Sequence, residues 1–350
     1  MRSKLRPTIC RIFITPVDLH SILCHHKSNF PFNLDLVFKP STHGSIPMKL
    51  CQGCGQLLAE DISTCPACGN EVEEGRKTID DYRIIEVLHE GYATTLCRAV
   101  KDHTDESVVI RIFSPQSGVD EKIAERLKNE LEELKKLPEN YFVRHFEIRQ
   151  SSDGLWYRVS EWLDTENWGN LIASGVFQDY RITFQLFYRI ASILEGLHQI
   201  GHFIPHLILD DILVVKGDDG ELKVKIDYKL SRFFDPKLDR PGPTLQKLLS
   251  CHPDIINQRP LNFRSDIWSL GKIFVELLTA EHDSMDFQAE IDALPLPSEI
   301  AVLLKTMLAD DPNLRPQSMA EVAESLSRVK DEDIESATGR RREAMQPPVQ

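Results

Sequence analysis

Two cysteine knuckles near the front of the chain restrict what that region can become. Cys51 and Cys54 are followed by Gly55, Cys65 and Cys68 by Gly69, and ten residues separate Cys54 from Cys65. Each C-x-x-C turn brings two thiolates to one side, and the glycine after the second cysteine permits the left-handed backbone that such a turn needs. Four thiolates complete a tetrahedral zinc shell with no position open for water or substrate, so the metal would be structural. A stretch of roughly 25 residues cannot fold on a hydrophobic core, and metal binding would supply most of its stability. A disulfide pair or a redox C-x-x-C is the competing reading of the same residues. Cys97 and Cys251 read as buried or incidental thiols.

Composition narrows the class. The 350 residues are 41% hydrophobic and 27% charged, enough to bury a large core. The net charge of -13 argues against wholesale binding of nucleic acid or an anionic membrane, both of which need a basic surface. No apolar run reaches the ~18 residues of a membrane span, which predicts a cytoplasmic chain. Residues 1–47 carry six Lys/Arg against two Asp/Glu, follow neither a helical nor a strand period, and precede a second methionine, Met48. They are expected to be a disordered leader or an upstream-extended start, with Cys10 and Cys24 incidental. Residues 331–350, with Arg340, Arg341 and Arg342, are expected to form a solvated, disordered tail.

Between these ends the motifs come in a recognisable order. Tyr82 to Leu88 reads as a strand, His89 to Thr94 as a loop around Gly91, Leu96 to Val100 as the returning strand, and Ser107 to Ile112 as a third. Glu121 to Leu137 reads as an amphipathic helix with Leu127, Leu131 and Leu134 at helical spacing. Leu155 to Leu163 is a strand, Phe184 to His198 an apolar helix, and the segment His202 to Leu213 follows it. Then come Ile226-Asp227-Tyr228-Lys229, His252-Pro253-Asp254, a run from Ser265-Asp266 through Trp268 to Gly271, and a run from Met307 through Pro312 to Arg315-Pro316. Over about 250 residues this series resembles a eukaryotic-type serine/threonine protein kinase of the bacterial kind. The resemblance implies an α+β, bilobal protein-kinase fold, with a β-rich N-lobe (82–163) and a helical C-lobe (164–330). Ahead of it, residues 48–75 resemble a small zinc ribbon.

Carried onto this chain, the resemblance assigns roles that the residues fill poorly. Aligned on Asp211-Ile212-Leu213, the H-R-D triplet falls on Ile204, Pro205 and His206, so an imidazole stands where the base carboxylate belongs. Asp211 replaces the second-magnesium asparagine, and D-F-G reads Asp227-Tyr228-Lys229, which keeps the metal carboxylate but puts a cation beside it. Gly91 is the lone glycine of the phosphate loop. Arg111 replaces the phosphate-binding lysine, and its planar fork differs from a compact ammonium. It is expected to pair with Glu130 on the amphipathic helix, as a structural bridge or in support of a nucleotide. Val109 replaces an alanine at the adenine, an overfilling that typically costs ~1–3 kcal/mol. Ser160 takes the gatekeeper place, Glu161 the hinge, and Leu213 is expected among the nucleotide-binding residues. Asp266 is expected to brace the catalytic-loop backbone and Arg315 to pair with Asp254.

Three functional readings follow. In the first, the chain is a pseudokinase that signals or scaffolds by binding a protein partner, with its ATP and magnesium sites degraded. In the second, it is a weakly active or atypical ATP-dependent serine/threonine kinase, in which Asp211 and Asp227 hold magnesium and His206 takes the hydroxyl proton. In the third, the zinc ribbon is the functional head, tethered to a kinase-fold scaffold and docking on protein rather than nucleic acid.

Overall fold

The computed structural model describes residues 48–344 except 52, 54–56, 60–61, 67, 73–77, 91–93, 115–116, 205–206, 217–221, 229–251 and 280–285. The leader 1–47 and residues 345–350 therefore lie outside the described residues, as do Cys54, Gly91, His206, Lys229 and Cys251.

At the front, β1 (Met48–Leu50) and β2 (Leu57–Ala59) form an antiparallel hairpin. An isolated bridge between Thr64 and Glu71 closes a second loop beside it. Cys51, Leu58, Cys65 and Val72 make a separate miniature core.

The N-lobe is a six-stranded antiparallel sheet built from β3 (Thr78–Ile79), β4 (Tyr82–Glu90), β5 (Thr94–Lys101), β6 (Ser107–Phe113), β7 (His145–Gln150) and β8 (Trp156–Glu161), in the order β3-β4-β5-β6-β8-β7. Strand alternation sorts β6 into two faces. Val108, Ile110 and Ile112 join Cys97, Ala99, Tyr157 and Val159 in one core, while Phe113 joins the larger core below. The sheet begins before the expected boundary at residue 82, because β3 adds an edge strand and Ile79 packs beside Tyr82. Tyr157 Oη donates to Asp80 Oδ2 at 2.7 Å, and Arg149 bonds Asp81, so this edge is pinned by side chains as well.

Between β6 and β7 runs α1 (Glu121–Leu134), capped by Asp120, whose carboxylate accepts from the Ile123 N–H at 2.8 Å. Its buried Leu127, Leu131 and Leu134 contribute roughly 1.5–3 kcal/mol each. The C-lobe follows: α2 (Trp168–Ala173), α3 (Tyr180–Gln199), the hairpin β9 (Ile212–Lys216) and β10 (Leu222–Ile226), then α4 (Pro253–Ile256), α5 (Phe263–Thr279), α6 (Phe287–Ala293), α7 (Ser298–Met307), α8 (Met319–Arg328) and α9 (Asp331–Ala344). Residues 265–278 of α5 are all buried, which makes it the axis of the lobe. Gly271 lets α7 pack closely there: a Cβ would stand 3.0 Å from Met307 Cβ, and α7 would have to give by a few tenths of an ångström to admit it.

One expectation for the tail is corrected. Residues 331–344 are not disordered but form α9, which docks on α3. Ile334 and Ala337 are buried, Thr338 Oγ1 accepts from the Tyr180 N–H at 3.2 Å, and Arg341 donates to the Leu278 carbonyl at 2.5 Å with its guanidinium 4.9 Å from the Tyr180 ring centroid. Arg341 is spent on a helix C-terminal carbonyl and an aromatic face, which the arginine run alone does not reveal.

Candidate functional site

At the knuckles, the sulfurs of Cys51, Cys65 and Cys68 all lie within 4.8 Å of one another, with Cys51 and Cys68 at 3.5 Å. Tetrahedral Zn–S bonds of about 2.3 Å hold sulfurs about 3.8 Å apart, so the cluster matches a thiolate cage, and it is too long for an S–S bond of about 2.05 Å. Gly69 sits at φ 76°, the left-handed turn its place in the knuckle calls for, and its N–H donates to the Cys65 carbonyl at 2.8 Å. The fourth expected ligand, Cys54, is outside the described residues.

In the cleft, strand register decides which side chains meet. Val109 stands opposite Ser160 and Arg111 opposite Arg158 on β6 and β8. On β7 and β8, His145 stands opposite Ser160 and Ile148 opposite Arg158. Directly opposed side chains share a face. Two rungs result, Val109–Ser160–His145 and Arg111–Arg158–Ile148, on the face that looks toward α1 and the C-lobe.

The expected pair of Arg111 and Glu130 is not made. Among the described residues no ion pair joins them, and Arg111 Nη1 donates instead to Thr94 Oγ1 on the adjacent strand at 3.2 Å. Glu130 Oε2 is buried without a partner, and burial pushes its carboxyl up to about 8. The physical reason is local: the neutral hydroxyl beside the phosphate loop is within reach of the guanidinium, while α1 holds Glu130 in apolar surroundings that favour its protonated form.

Below the sheet, Asp227 follows β10, and its Oδ1 lies 3.6 Å from His145 Nε2. The His145 ring is enclosed, and burial, then the Arg158 and Arg111 charges, push it down to about 3 against the pull of Asp227. Asp211 is 1% exposed; its Oδ2 accepts from the Ile208 N–H at 3.1 Å and its carbonyl from the Asp227 N–H at 2.8 Å. Both carboxylates expected to hold magnesium thus face groups of the chain itself. Three potential metal-ligating side chains gather within 4.8 Å at the cysteines but, among the described residues, not here.

The Glu161 carboxylate accepts from the Arg144 N–H at 2.9 Å and from Lys225 Nζ at 2.6 Å, and with Arg144, Lys225, Tyr188 and Ala323 it lines a cavity of about 1050 Å³. Leu213 lies opposite Lys225 in the β9–β10 hairpin. The positions of Gly91, His206 and Lys229 are outside the described residues.

The scaffold contacts are formed. Asp266 Oδ2 accepts from the Ile204 N–H at 2.8 Å and meets His198 Nε2 at 2.8 Å, while burial pushes its pKa up to about 6 against both partners. Arg315 makes two 2.9 Å bonds to the two oxygens of Asp254, and Ser265 donates to the same carboxylate at 2.7 Å. His145, Arg158 and His198 were not singled out from the sequence. Their one advance signal was a charged or titratable residue at a position where strand or helix period predicts burial.

Residues 82–326 match the family model described as the protein kinase domain. The chain is 23% identical over 261 residues to serine/threonine-protein kinase Nek7 of Arabidopsis thaliana, covering 70% of this chain and 44% of that protein. It is 26% identical over 207 residues to human serine/threonine-protein kinase ULK3, covering 58% and 43%. The chain therefore spans less than half the length of these curated relatives. The kinase domain of Mycobacterium tuberculosis PknI superposes with a TM-score of 0.53 at 13% identity, over 71% of this chain and 96% of that one. A likeness at that identity speaks for the fold alone.

Proposed function

We propose that this chain, which belongs to the protein kinase family, is a pseudokinase: a kinase-shaped protein that signals or scaffolds by binding a protein partner. One observation carries the reading. Asp211 and Asp227, the two carboxylates of the expected magnesium site, are turned to the Ile208 N–H and to His145. Phosphoryl transfer rests almost wholly on positioning and on neutralising developing charge, so a site without its metal clamp loses the main source of catalysis. Arg111 bonded away from Glu130 supports the same reading, as does the presence of His206 and Lys229 in the loop and D-F-G positions. Removing one transition-state contact commonly costs about 10²–10³ in rate, and groups acting as a unit do not add. The intact Asp266 and Asp254–Arg315 braces support retention of the fold as a scaffold.

The ribbon reads as a structural zinc site held by Cys51, Cys54, Cys65 and Cys68; bound zinc would cross-link two turns that have almost no core of their own. Its partner would be protein, given the acidic chain. A weakly active kinase is the second reading, favoured by the survival of Asp227 and of the Asp266 brace. The deciding experiment incubates the full chain with labelled ATP, magnesium and a generic protein substrate. No transfer above background is expected; transfer that Asp227→Ala abolishes would establish the second reading instead.

A further inference from the structure

The two edges of the β9–β10 hairpin end differently. On the β9 side, Thr165 bridges to Val215 and the Glu166 N–H donates to the Val214 carbonyl at 2.8 Å. On the β10 side, the Ile226 N–H donates to the Tyr141 carbonyl at 2.8 Å, and the Ile226 carbonyl accepts from the Val143 N–H at 3.0 Å. Opposed residues in an antiparallel pair alternate between bonding each other and pointing outward. Val224, opposite Val214 and two residues from Ile226, therefore points its N–H and C=O away from β9, in phase with the outward carbonyl of Val214. Among the described residues no third strand pairs there, and no hydrogen bond reaches that side of Val224.

This edge borders the cavity of about 1050 Å³ beside Glu161. Lys223, Val224 and Lys225 all line it, and since their side chains alternate between faces, what the three share is the strand edge. The helical part of the wall includes Tyr188 and Gly196 of α3 with Ala320 and Ala323 of α8, side chains that leave room beside an aromatic ring. The carboxylates of the wall are already engaged: Glu161 by Arg144 and Lys225, Glu139 by Arg144, Glu195 by the Ala320 N–H, and Glu324 by Arg328. What the trough offers a ligand is thus main-chain hydrogen bonding and apolar surface rather than unspent acid.

We propose that an extended segment of a partner protein adds to β10 as a third strand, bonding the Val224 N–H and C=O and laying alternate apolar side chains against α3 and α8. The inference deepens the reading of this chain as a partner-binding protein and rests on it. An unpaired edge is a template for an added strand, in which main-chain bonds supply affinity and pockets for alternate side chains supply specificity. Residues 141–143 already use the same edge in this way, with Phe142 bridging in parallel to Ile226. The turn that closes from the Tyr141 N–H to the Pro138 carbonyl bends that segment off before it reaches Val224. A helix or a compact ligand would leave these backbone groups unbonded, whereas an extended chain satisfies them.

The test uses the full chain and a fluorescent heptapeptide of alternating valine and threonine, blocked at both ends. In the free chain the Val224 amide should exchange with deuterium roughly tenfold faster than the Lys225 amide, which alternation places inside the β9 ladder. Equal protection of the two would mean that the edge is already covered, by another part of the chain or by a second copy, and would overturn the proposal. The peptide should bind by fluorescence anisotropy and slow exchange at Val224 by roughly tenfold. N-methylation of one alternate set of its amides should abolish binding, while methylation of the other set leaves it. Ala320→Trp, at an exposed position of α8 that lines the trough, should also weaken binding by roughly tenfold. The unaltered chain decides the matter even if that variant fails to fold: no peptide binding, or binding indifferent to which amides are methylated, overturns the proposal. Labelled-phosphate transfer by this chain would refute the non-catalytic reading and leave peptide binding standing; absence of peptide binding, with no transfer, would refute this inference alone.

Discussion

Replacing His145 by leucine should change how the fold responds to acid, and by an amount the structure sets. Burial, with the Arg158 and Arg111 charges, lowers this histidine from 6.5 to about 3, against Asp227. A group whose folded pKa is depressed contributes its full stability above the unfolded value, here above about pH 6.5, and loses it as pH falls toward the folded one. At about 1.36 kcal/mol per unit of pKa, the loss is on the order of 2 kcal/mol by pH 5 and 5 kcal/mol when complete. Other groups also respond. His252, lowered to about 4, loses stability on acidification, whereas Glu130, raised to about 8, and Asp266, raised to about 6, gain it. These contributions are common to both proteins and cancel in the difference, as does any packing offset seen at pH 7.5. Urea denaturation of the native chain and of His145→Leu at pH 7.5, 6 and 5 should therefore show the variant gaining about 2 kcal/mol on the native chain between the first and last. Two parallel pH profiles would refute the argument, because they would mean that His145 titrates in the fold as it does when unfolded.

Three further outcomes are expected. Metal analysis of protein expressed with zinc should find about one zinc per chain, and Cys65→Ser should lose it while the kinase domain melts unchanged, since Cys65 belongs to its own small core; protein that binds no zinc rules out the thiolate cage. Arg315→Leu should destabilise the C-lobe by about 3–5 kcal/mol in denaturant unfolding, because it strands the Asp254 carboxylate, 1% exposed, without its bidentate partner. Ending the chain at Lys330 should lower the melting temperature by about 2–4 °C for each kcal/mol of lost α9 packing, a cost set by Ile334, Ala337 and Arg341; an unshifted melting curve would restore the disordered tail.

What could be read from the sequence was local chemistry. The cysteine spacing needs only two short turns to bring thiolates together, and the positive φ of Gly69 follows from its place after Cys68. The order of strands and helices followed from period, and the roles of Asp266, Asp254 and Arg315 from motifs whose partners these residues meet in the fold. The replacements at His206, Asp211 and Lys229 are visible as letters. The tertiary structure decided who faces whom in the cleft. Arg158 meets Arg111 across 47 positions of sequence, and His145 meets Asp227 across 82, because the β6–β8 and β7–β8 registers are set by pairing between distant segments. The same holds for Glu130: helical period put it on α1, but the placement of α1 against the sheet buried its Oε2 without a hydrogen bond and raised its pKa, while Arg111 turned to Thr94. A one-residue slip in register would send each of these side chains to the opposite face, and that choice is made by the whole buried core, not by any segment of it.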